Sequence, residues 1–362
     1  MSFSGDGIAY GANSQGKRHA LYFPGSCPGD VISVDKSAKI GTNRYETYSI
    51  IENSVFRRTP PCPYASFCSG CSYQHIAYEG QTELKTIQLN TLFGDILPGD
   101  HISIMPSEAE FRYRNKVTLL FRDNTAGFFF KDKSGVYAFK GCMLLRNQID
   151  EYALEKAQTG AVPGYYGLTL YRSADGTLNE HYLQNQHDSA EFVQVNDYVN
   201  LLIRDFIHTS LSFFMKPLHI LDLYCGNGNL SFHLGDIASS VTGLDISYPS
   251  IIRARSEAKK RGLDHFVFTA VPVEKAHEQI LSVSKNINTL LIDPPRIGLR
   301  KEALFLSRLG IPAVIYISCN PVSLKKDTEF FLKEGYRIKD FRGFDMFPQT
   351  PHIESAVIFL KD

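Results

Sequence analysis

The stretch Tyr316-Ile-Ser-Cys319-Asn-Pro-Val-Ser-Leu-Lys-Lys326 sets a cysteine directly after the apolar run Pro312 to Ile317 and ahead of a proline turn. A thiol at a strand end stands where α/β sheets hold their ligands and chemistry. A lone free cysteine is more often a small buried core residue, so the neighbouring motifs have to decide. Asp222-Leu-Tyr-Cys-Gly226-Asn-Gly228 places two glycines between a strand and a helix, where a ligand can approach the backbone. A dinucleotide fingerprint needs a third glycine where this chain has Ser231. An acidic residue ending the first strand and Asp245 ending the second suit S-adenosylmethionine instead, with Asp245 accepting hydrogen bonds from the ribose hydroxyls.

Ile292-Asp293-Pro-Pro-Arg296 follows a later strand, and its prolines hold an extended turn that fixes the carbonyls beside Asp293. Similar turns in amino-group methyltransferases hold an exocyclic amine, which is a competing reading, but methylating an amine needs no covalent nucleophile. Pyrimidine C5 does need one. A thiolate adding at C6 turns the ring into an enolate whose C5 can attack a sulfonium methyl, and a base must then remove the C5 proton so that the thiol can leave. Glu354, in Met346-Phe-Pro-Gln-Thr-Pro-His-Ile-Glu354, stands immediately before the last strand. It is either that base or a solvated strand-end charge.

Cys62, Cys68 and Cys71 put three thiols within ten residues. Clustered thiolates call for a cation: zinc wants a fourth Cys or His, an iron-sulfur cluster a fourth Cys. His75 could complete a zinc site and Cys142 either one, and the spacing leaves the metal open. Phe111-Arg112-Tyr113-Arg114-Asn115-Lys116 interleaves three cations with two aromatics at the entrance to a strand, a pattern suited to phosphates and stacked bases and equally to a solvated edge strand.

These residues need elements to position them. Met1 to Arg57 reads as a small OB-like or SH3-like β-barrel, with strands at Ala20–Phe23 and Val31–Val34 between glycines and prolines. Its basic residues, among them Lys17, Arg18, Lys36 and Arg44, outnumber the acidic ones, as in small barrels that hold single-stranded nucleic acid. Apolar spacing predicts a helix over Glu79–Phe93, then strands at Val117–Phe121, Phe128–Phe130, Val136–Phe139, Tyr165–Tyr171 and Glu191–Val195. From about Asn196 strands and helices alternate: helices Val199–Phe214 and Ile246–Arg261, another opening near Leu230, and strands His219–Tyr224, Ser240–Leu244, Phe266–Val271, Asn288–Ile292, Ala313–Ile317 and Ser355–Leu360. That alternation implies a mostly parallel, doubly wound sheet. The 362 residues suffice for two or three domains, no apolar run is long enough to span a bilayer, and Met1 to Gly16 has no signal-peptide pattern, so a cytoplasmic protein is expected. In that compartment seven unevenly spaced cysteines suggest metal ligands or catalysts rather than disulfides. Equal numbers of basic and acidic residues, 38 each, neither require nor exclude a nucleic-acid partner.

Taken together, Gly5 to Pro61, the cysteine cluster with Cys142, Phe192-Val-Gln194-Val-Asn196, Asp222 to Asn229, Asp293 to Arg296, Ser318 to Pro321 and Phe347 to Glu354 resemble the RNA 5-methyluridine methyltransferase family, specifically its iron-sulfur members with an N-terminal TRAM domain. The resemblance covers nearly the whole chain. It implies a multidomain α/β protein: a TRAM/OB-like barrel over residues 1–57, a central α+β iron-sulfur and RNA-binding domain over 58–190, and a Rossmann-like class I S-adenosylmethionine methyltransferase domain over 191–362, on which the helix 79–93 packs. It further implies that Cys62, Cys68, Cys71 and Cys142 hold a 4Fe-4S cluster, that Cys319 is the nucleophile and Glu354 the base, that Gln194, Tyr224, Asn229, Asp245 and Asp293 line the cofactor site, and that Phe192 lies near the target base. The activity expected is methylation of uridine C5 in 23S ribosomal RNA by a monomer that needs no membrane. The alternatives are the T-loop uridine of transfer RNA and, in another class, an iron-sulfur RNA-binding protein without catalysis. Cys319, Glu354 and the cofactor loop in one chain argue against the last.

Overall fold

The computed structural model describes residues 1–12, 17–35, 39–40, 43–98, 102–173, 175–188, 193–212 and 217–361. Contacts divide the chain into two compact units, one of Met1–Gln88, Pro106–Asp197 and Met346–His352, the other of Leu89–Met105, Tyr198–Asp345 and Ile353–Asp362. The expected barrel segment and most of the expected central segment thus share one unit. Among the described residues no helix is long and apolar enough to cross a membrane.

In the second unit, Leu218–Leu223, Thr289–Ile292 and Ala313–Ser318 are buried almost throughout, the pattern of strands covered on both faces. They lie inside an eight-stranded sheet ordered Phe266–Ala270, Ala238–Asp245, Leu218–Leu223, Thr289–Ile292, Ala313–Ser318, Glu354–Leu360, Arg337–Phe344 and Ile104–Met105. The first five strands are parallel, and Glu354–Leu360 runs antiparallel to both neighbours. From Leu218–Leu223 the chain builds outward in one direction through Ala238–Asp245 and then in the other from Thr289–Ile292. The switch opens a crevice at the carboxyl ends of these strands, where Asp222 to Asn229 and Asp293 follow.

Most predicted elements of this half are present within a residue or two: Asp197–Ser212, Tyr248–Lys260 with Ser247 as its N-cap, and the strands just named. Residues Phe213 and Phe214 of the predicted helix lie outside the described residues. The helix expected near Leu230 is a single 3₁₀ turn, Ser231–Leu234, because positive-φ Gly228 precedes it and Gly235 ends it. Helices His277–Ser284, Glu302–Ser307 and Pro321–Lys333 and the strand Arg337–Phe344 went unread in the sequence, their apolar periods being short or interrupted by charge. The helix Tyr78–Phe93 begins in the first unit and ends in the second, where Phe93 meets Phe341 edge-on at 4.7 Å and Lys325 Nζ donates to the Leu92 carbonyl at 2.8 Å.

The first unit holds a five-stranded antiparallel sheet, Val136–Ala138, Thr125–Phe129, Lys116–Arg122, Gly167–Arg172 and Leu178–Leu183. The helix Asn147–Gln158, absent from the sequence reading, closes a core of Val117, Leu119, Leu145, Ile149, Ala153 and Leu168. The predicted strand Glu191–Val195 is not formed over Val193–Val195, and its first two residues lie outside the described residues. At the N-terminus an unanticipated strand, Asp6–Ala12, pairs with Arg18–Pro24, and Val31–Ser33 pairs with Ser49–Glu52. Phe23 stacks on Tyr45 at 5.4 Å, and Asp30 accepts from Arg57 and from the Ser54 backbone. Lys36 lies outside the described residues.

Candidate active site

Three carboxyls mark three adjacent strand ends of the second unit: Asp222 near the end of Leu218–Leu223, Asp245 closing Ala238–Asp245, and Asp293 directly after Thr289–Ile292. The turn after Asp222 carries positive φ at Tyr224 (62°), Gly226 (55°) and Gly228 (83°), a left-handed conformation that glycine adopts without strain. A Cβ on Gly228 would fall 2.5 Å from the Phe232 ring, whereas one on Gly226 would meet nothing within 4 Å, which leaves room for a ligand against the backbone. Gly226 N–H donates to Asp245 Oδ2 at 2.9 Å and Ser247 N–H to Oδ1 at 2.7 Å. With about four lone-pair directions on a carboxylate, Asp245 keeps two for ligand hydroxyls. The Tyr224 hydroxyl donates to Glu274 Oε1 at 3.3 Å, and the Asn229 and Asn200 side chains exchange hydrogen bonds of 2.8 and 3.0 Å that tie the turn to the helix Asp197–Ser212.

Asp222 is buried, accepts from Ser231 Oγ at 2.5 Å, and has no partner on Oδ1 among the described residues. Burial, reinforced by Asp293 and Asp245, pushes its pKa up to about 7, and burial with Asp245 does the same to Asp293. Carboxyls withdrawn from water beside open space call for a cation. The sulfonium and ammonium groups of S-adenosylmethionine fit that demand, and Asp245 fits the ribose.

Cys319 and Glu354 come together through the sheet. Ser318 lies opposite Ser355 in the antiparallel pair, Cys319 and Glu354 are the next residues on the two chains, and the charge of Glu354 acts on the Cys319 thiol. Glu354 is buried, and burial with the charge of Asp293 holds its pKa well above the usual carboxylate range, against the opposing pull of Arg296. Burial pushes the Cys319 thiol up to about 12, with Glu354 and Asp293 adding to the rise and Arg296 opposing it. Asn320 Nδ2 and Ser323 Oγ both donate to the Arg296 carbonyl, at 2.9 and 3.2 Å, which locks the Asp293–Arg296 turn to the Cys319 turn. Buried Asp327 accepts from the Tyr316 hydroxyl at 2.6 Å and from Leu299 N–H at 2.8 Å. Neither Asp327 nor Glu274 stood out in the sequence, since only the tertiary fold brings them to these loops.

The remaining predicted residues belong to the first unit. Cys62, Cys68, Cys71 and Cys142 line one cavity of about 260 Å³, together with Gln74, Arg114 and Tyr137. Burial raises the Cys71 thiol to about 12 and the Cys142 thiol to about 11. Among the described residues no group of three or more His, Cys, Asp or Glu side chains is gathered closely enough to hold a single metal ion. His75 is not a lining residue; its Nε2 lies 3.2 Å from the Ser26 carbonyl oxygen. Asp150 accepts from Cys142 N–H at 2.8 Å and from Arg112 at 2.7 Å, so Arg112, from a segment read as RNA-binding, braces the cysteine loop, whereas Arg114 Nε donates to the Lys116 carbonyl within that segment. Lys116 opens the strand Lys116–Arg122. Gln194 is half-buried beside Val195, whose carbonyl accepts from Asn115 N–H at 2.9 Å, and Phe192 lies outside the described residues.

The strand order, the glycine turn at the switch point and the acidic strand ends define a class I S-adenosylmethionine-dependent methyltransferase fold. The family model described as tRNA (Uracil-5-)-methyltransferase matches residues 177–362, just over half of the chain. The chain therefore belongs to the RNA uracil-5-methyltransferase family. An uncharacterized RNA methyltransferase of Bdellovibrio bacteriovorus is 29% identical over 84% of this chain and 80% of its own length. The 23S rRNA (uracil(1939)-C(5))-methyltransferase RlmD of Mannheimia succiniciproducens is 27% identical over 100% of this chain and 94% of its own. The structure of the Pyrococcus abyssi tRNA (uracil-54, C5)-methyltransferase with S-adenosyl-L-homocysteine superposes with a TM-score of 0.73 over 98% of this chain and 100% of that one, at 19% identity, a likeness of fold.

Proposed function

We propose that this protein methylates uridine C5 in 23S ribosomal RNA through a covalent Cys319 adduct, as a cytoplasmic monomer. The observation that carries the mechanism is the nearness of the Cys319 thiol and the Glu354 carboxyl at neighbouring strand ends, beside the Asp293–Arg296 turn. The thiol, mainly protonated in the free protein, first releases its proton to solvent, and the thiolate sulfur then adds to C6 as the electrons of the C5–C6 double bond move toward O4. S-adenosylmethionine, held by Tyr224, Asn229, Asp245, Asp293 and Gln194, supplies the methyl group that C5 takes up. Glu354 in its ionised form removes the C5 proton, the C6–S bond breaks, and the Cys319 sulfur leaves with the bonding pair. Arg296 favours the ionised form of both groups. Ribosomal RNA is supported by the near full-length match to the RlmD relative, and the likeness to a transfer-RNA enzyme keeps the T-loop uridine as the second reading.

Residues 1–57 are read as a TRAM-like barrel, and Cys62, Cys68, Cys71 and Cys142 as the ligands of a 4Fe-4S cluster, supported by four thiols around one cavity. The cluster's part in this reading is to cross-link the loops that carry these residues. Phe192, Arg112, Arg114 and Lys116 complete the reading as RNA contacts, and the bond from Arg112 to Asp150 means that its loss would weaken the fold as well as the grip.

The test uses radiolabelled S-adenosylmethionine with 23S and transfer-RNA transcripts. Wild type should label one transcript class, Cys319→Ala should label neither, and Glu354→Gln should accumulate a labelled, ribonuclease-sensitive protein adduct in denaturing electrophoresis. Methylation by Cys319→Ala would overturn the covalent mechanism, and normal turnover by Glu354→Gln would place the base elsewhere.

A further inference from the structure

A second cleft opens one residue beyond Cys319, lined by Ile297, Arg300, Lys301, Asn320, Val322, Ser323, Lys326, Asp327 and Phe330, with a volume of about 580 Å³. Arg300, Lys301 and Lys326 are exposed, and none of them forms an ion pair among the described residues. The one carboxylate in the lining, Asp327, is buried and already accepts from Tyr316 and Leu299. Between the cations lie Ile297 and Val322, 52% and 38% exposed, and half-buried Phe330, with Lys333 5.9 Å from its ring centroid. The turn that bears Ile297 and Arg300 is fastened to the nucleophile's turn by the Asn320–Arg296 hydrogen bond and to the helix Pro321–Lys333 by Asp327.

Three exposed cations outside any ion pair among the described residues, interleaved with exposed apolar side chains, match a single-stranded polynucleotide, whose phosphates meet the cations while its bases cover the apolar faces. Asn320, which lines the cleft, directly follows Cys319 in the chain. We propose that the cleft holds the single-stranded RNA immediately flanking the target uridine, with Arg300, Lys301 and Lys326 on its phosphates. This rests on the uridine-methylating reading above and adds the path of the substrate.

The experiment compares wild type with the triple variant Arg300→Gln, Lys301→Gln, Lys326→Gln and with a control of equal charge loss, Lys259→Gln, Lys260→Gln, Lys285→Gln, on 23S and transfer-RNA transcripts across a salt series. Losing three phosphate contacts should flatten the log–log salt dependence of RNA binding by about 2, equivalent to about a hundredfold rise in KM near 0.1 M salt that fades toward 1 M. The rate at saturating RNA and the affinity for S-adenosylmethionine should stay at the wild-type values, and the control should keep the wild-type slope. A triple variant with wild-type KM and slope overturns the proposal, as does a control that falls equally. A triple variant that instead loses cofactor affinity also overturns it, because the cleft would then be structural. If wild type methylates neither transcript, the functional reading fails first, and that outcome is separable from the other three.

Discussion

Asp222→Asn tests the acidic cluster at the cofactor turn. Asp222 is buried with Oδ1 unpartnered among the described residues, and its pKa stands at about 7 against an ordinary value of 3.8. In the window between those values the folded chain holds a proton that the unfolded chain has released. The contribution of Asp222 to stability is therefore most favourable below the lower value, declines as pH rises through the window, and levels off above about 7. The separation corresponds to about 4 kcal/mol, an upper figure because neighbouring carboxyls share the effect. Asparagine carries no such charge and can still accept from Ser231. Urea unfolding of the cofactor-free protein from about pH 5 to about pH 8 should therefore show the variant gaining on wild type as pH rises, by one to several kcal/mol. A bound sulfonium and ammonium favour the ionised form, so S-adenosylmethionine should bind wild type more tightly as pH rises through the window and release a proton on binding near pH 6, as read by calorimetry in buffers of different ionisation heat. Parallel stability curves for the two proteins, or cofactor binding with no proton release, would refute the reasoning.

Protein purified without oxygen should be brown with about four irons per chain, and Cys142→Ser should lose both colour and iron; one zinc and no sulfide would contradict the cluster. Gly228→Ala forces a side chain into the Phe232 ring at a left-handed φ of 83° and should lower the thermal midpoint and weaken cofactor binding, at a cost of about 1–3 kcal/mol; an unchanged melt would mean the turn relaxes freely. Because burial raises Glu354 and the base must be ionised, the acid limb of kcat should lie well above the usual carboxylate range, and Arg296→Gln, which removes the opposing charge, should move it higher still. A limb near the ordinary glutamate value in both proteins would remove Glu354 from the base role.

The sequence alone made the reaction legible, because reactions constrain residue types and local order. A thiol after an apolar strand, glycines between Asp222 and Asn229, and an acid before the last strand are each recorded within a few consecutive residues. Strand and helix alternation from Asn196 was equally plain, since buried parallel strands are apolar throughout. What the sequence could not carry was anything that depends on distant segments meeting. The register that brings Glu354 near Cys319 comes from an antiparallel strand beside the parallel ones, and the raised pKa values there follow from burial that only packing creates. Arg112 and Arg114 read as phosphate contacts or as a solvated edge strand, and only the fold gives Arg112 its partner in Asp150 and sets Arg114 at the wall of the cysteine cavity. His75 was an open alternative to Cys142 until the backbone carried its ring to Ser26. Hydrogen bonds and electrostatic shifts fall off within a few ångströms, so they belong to neighbours in space, and the chain order names those only where the two coincide.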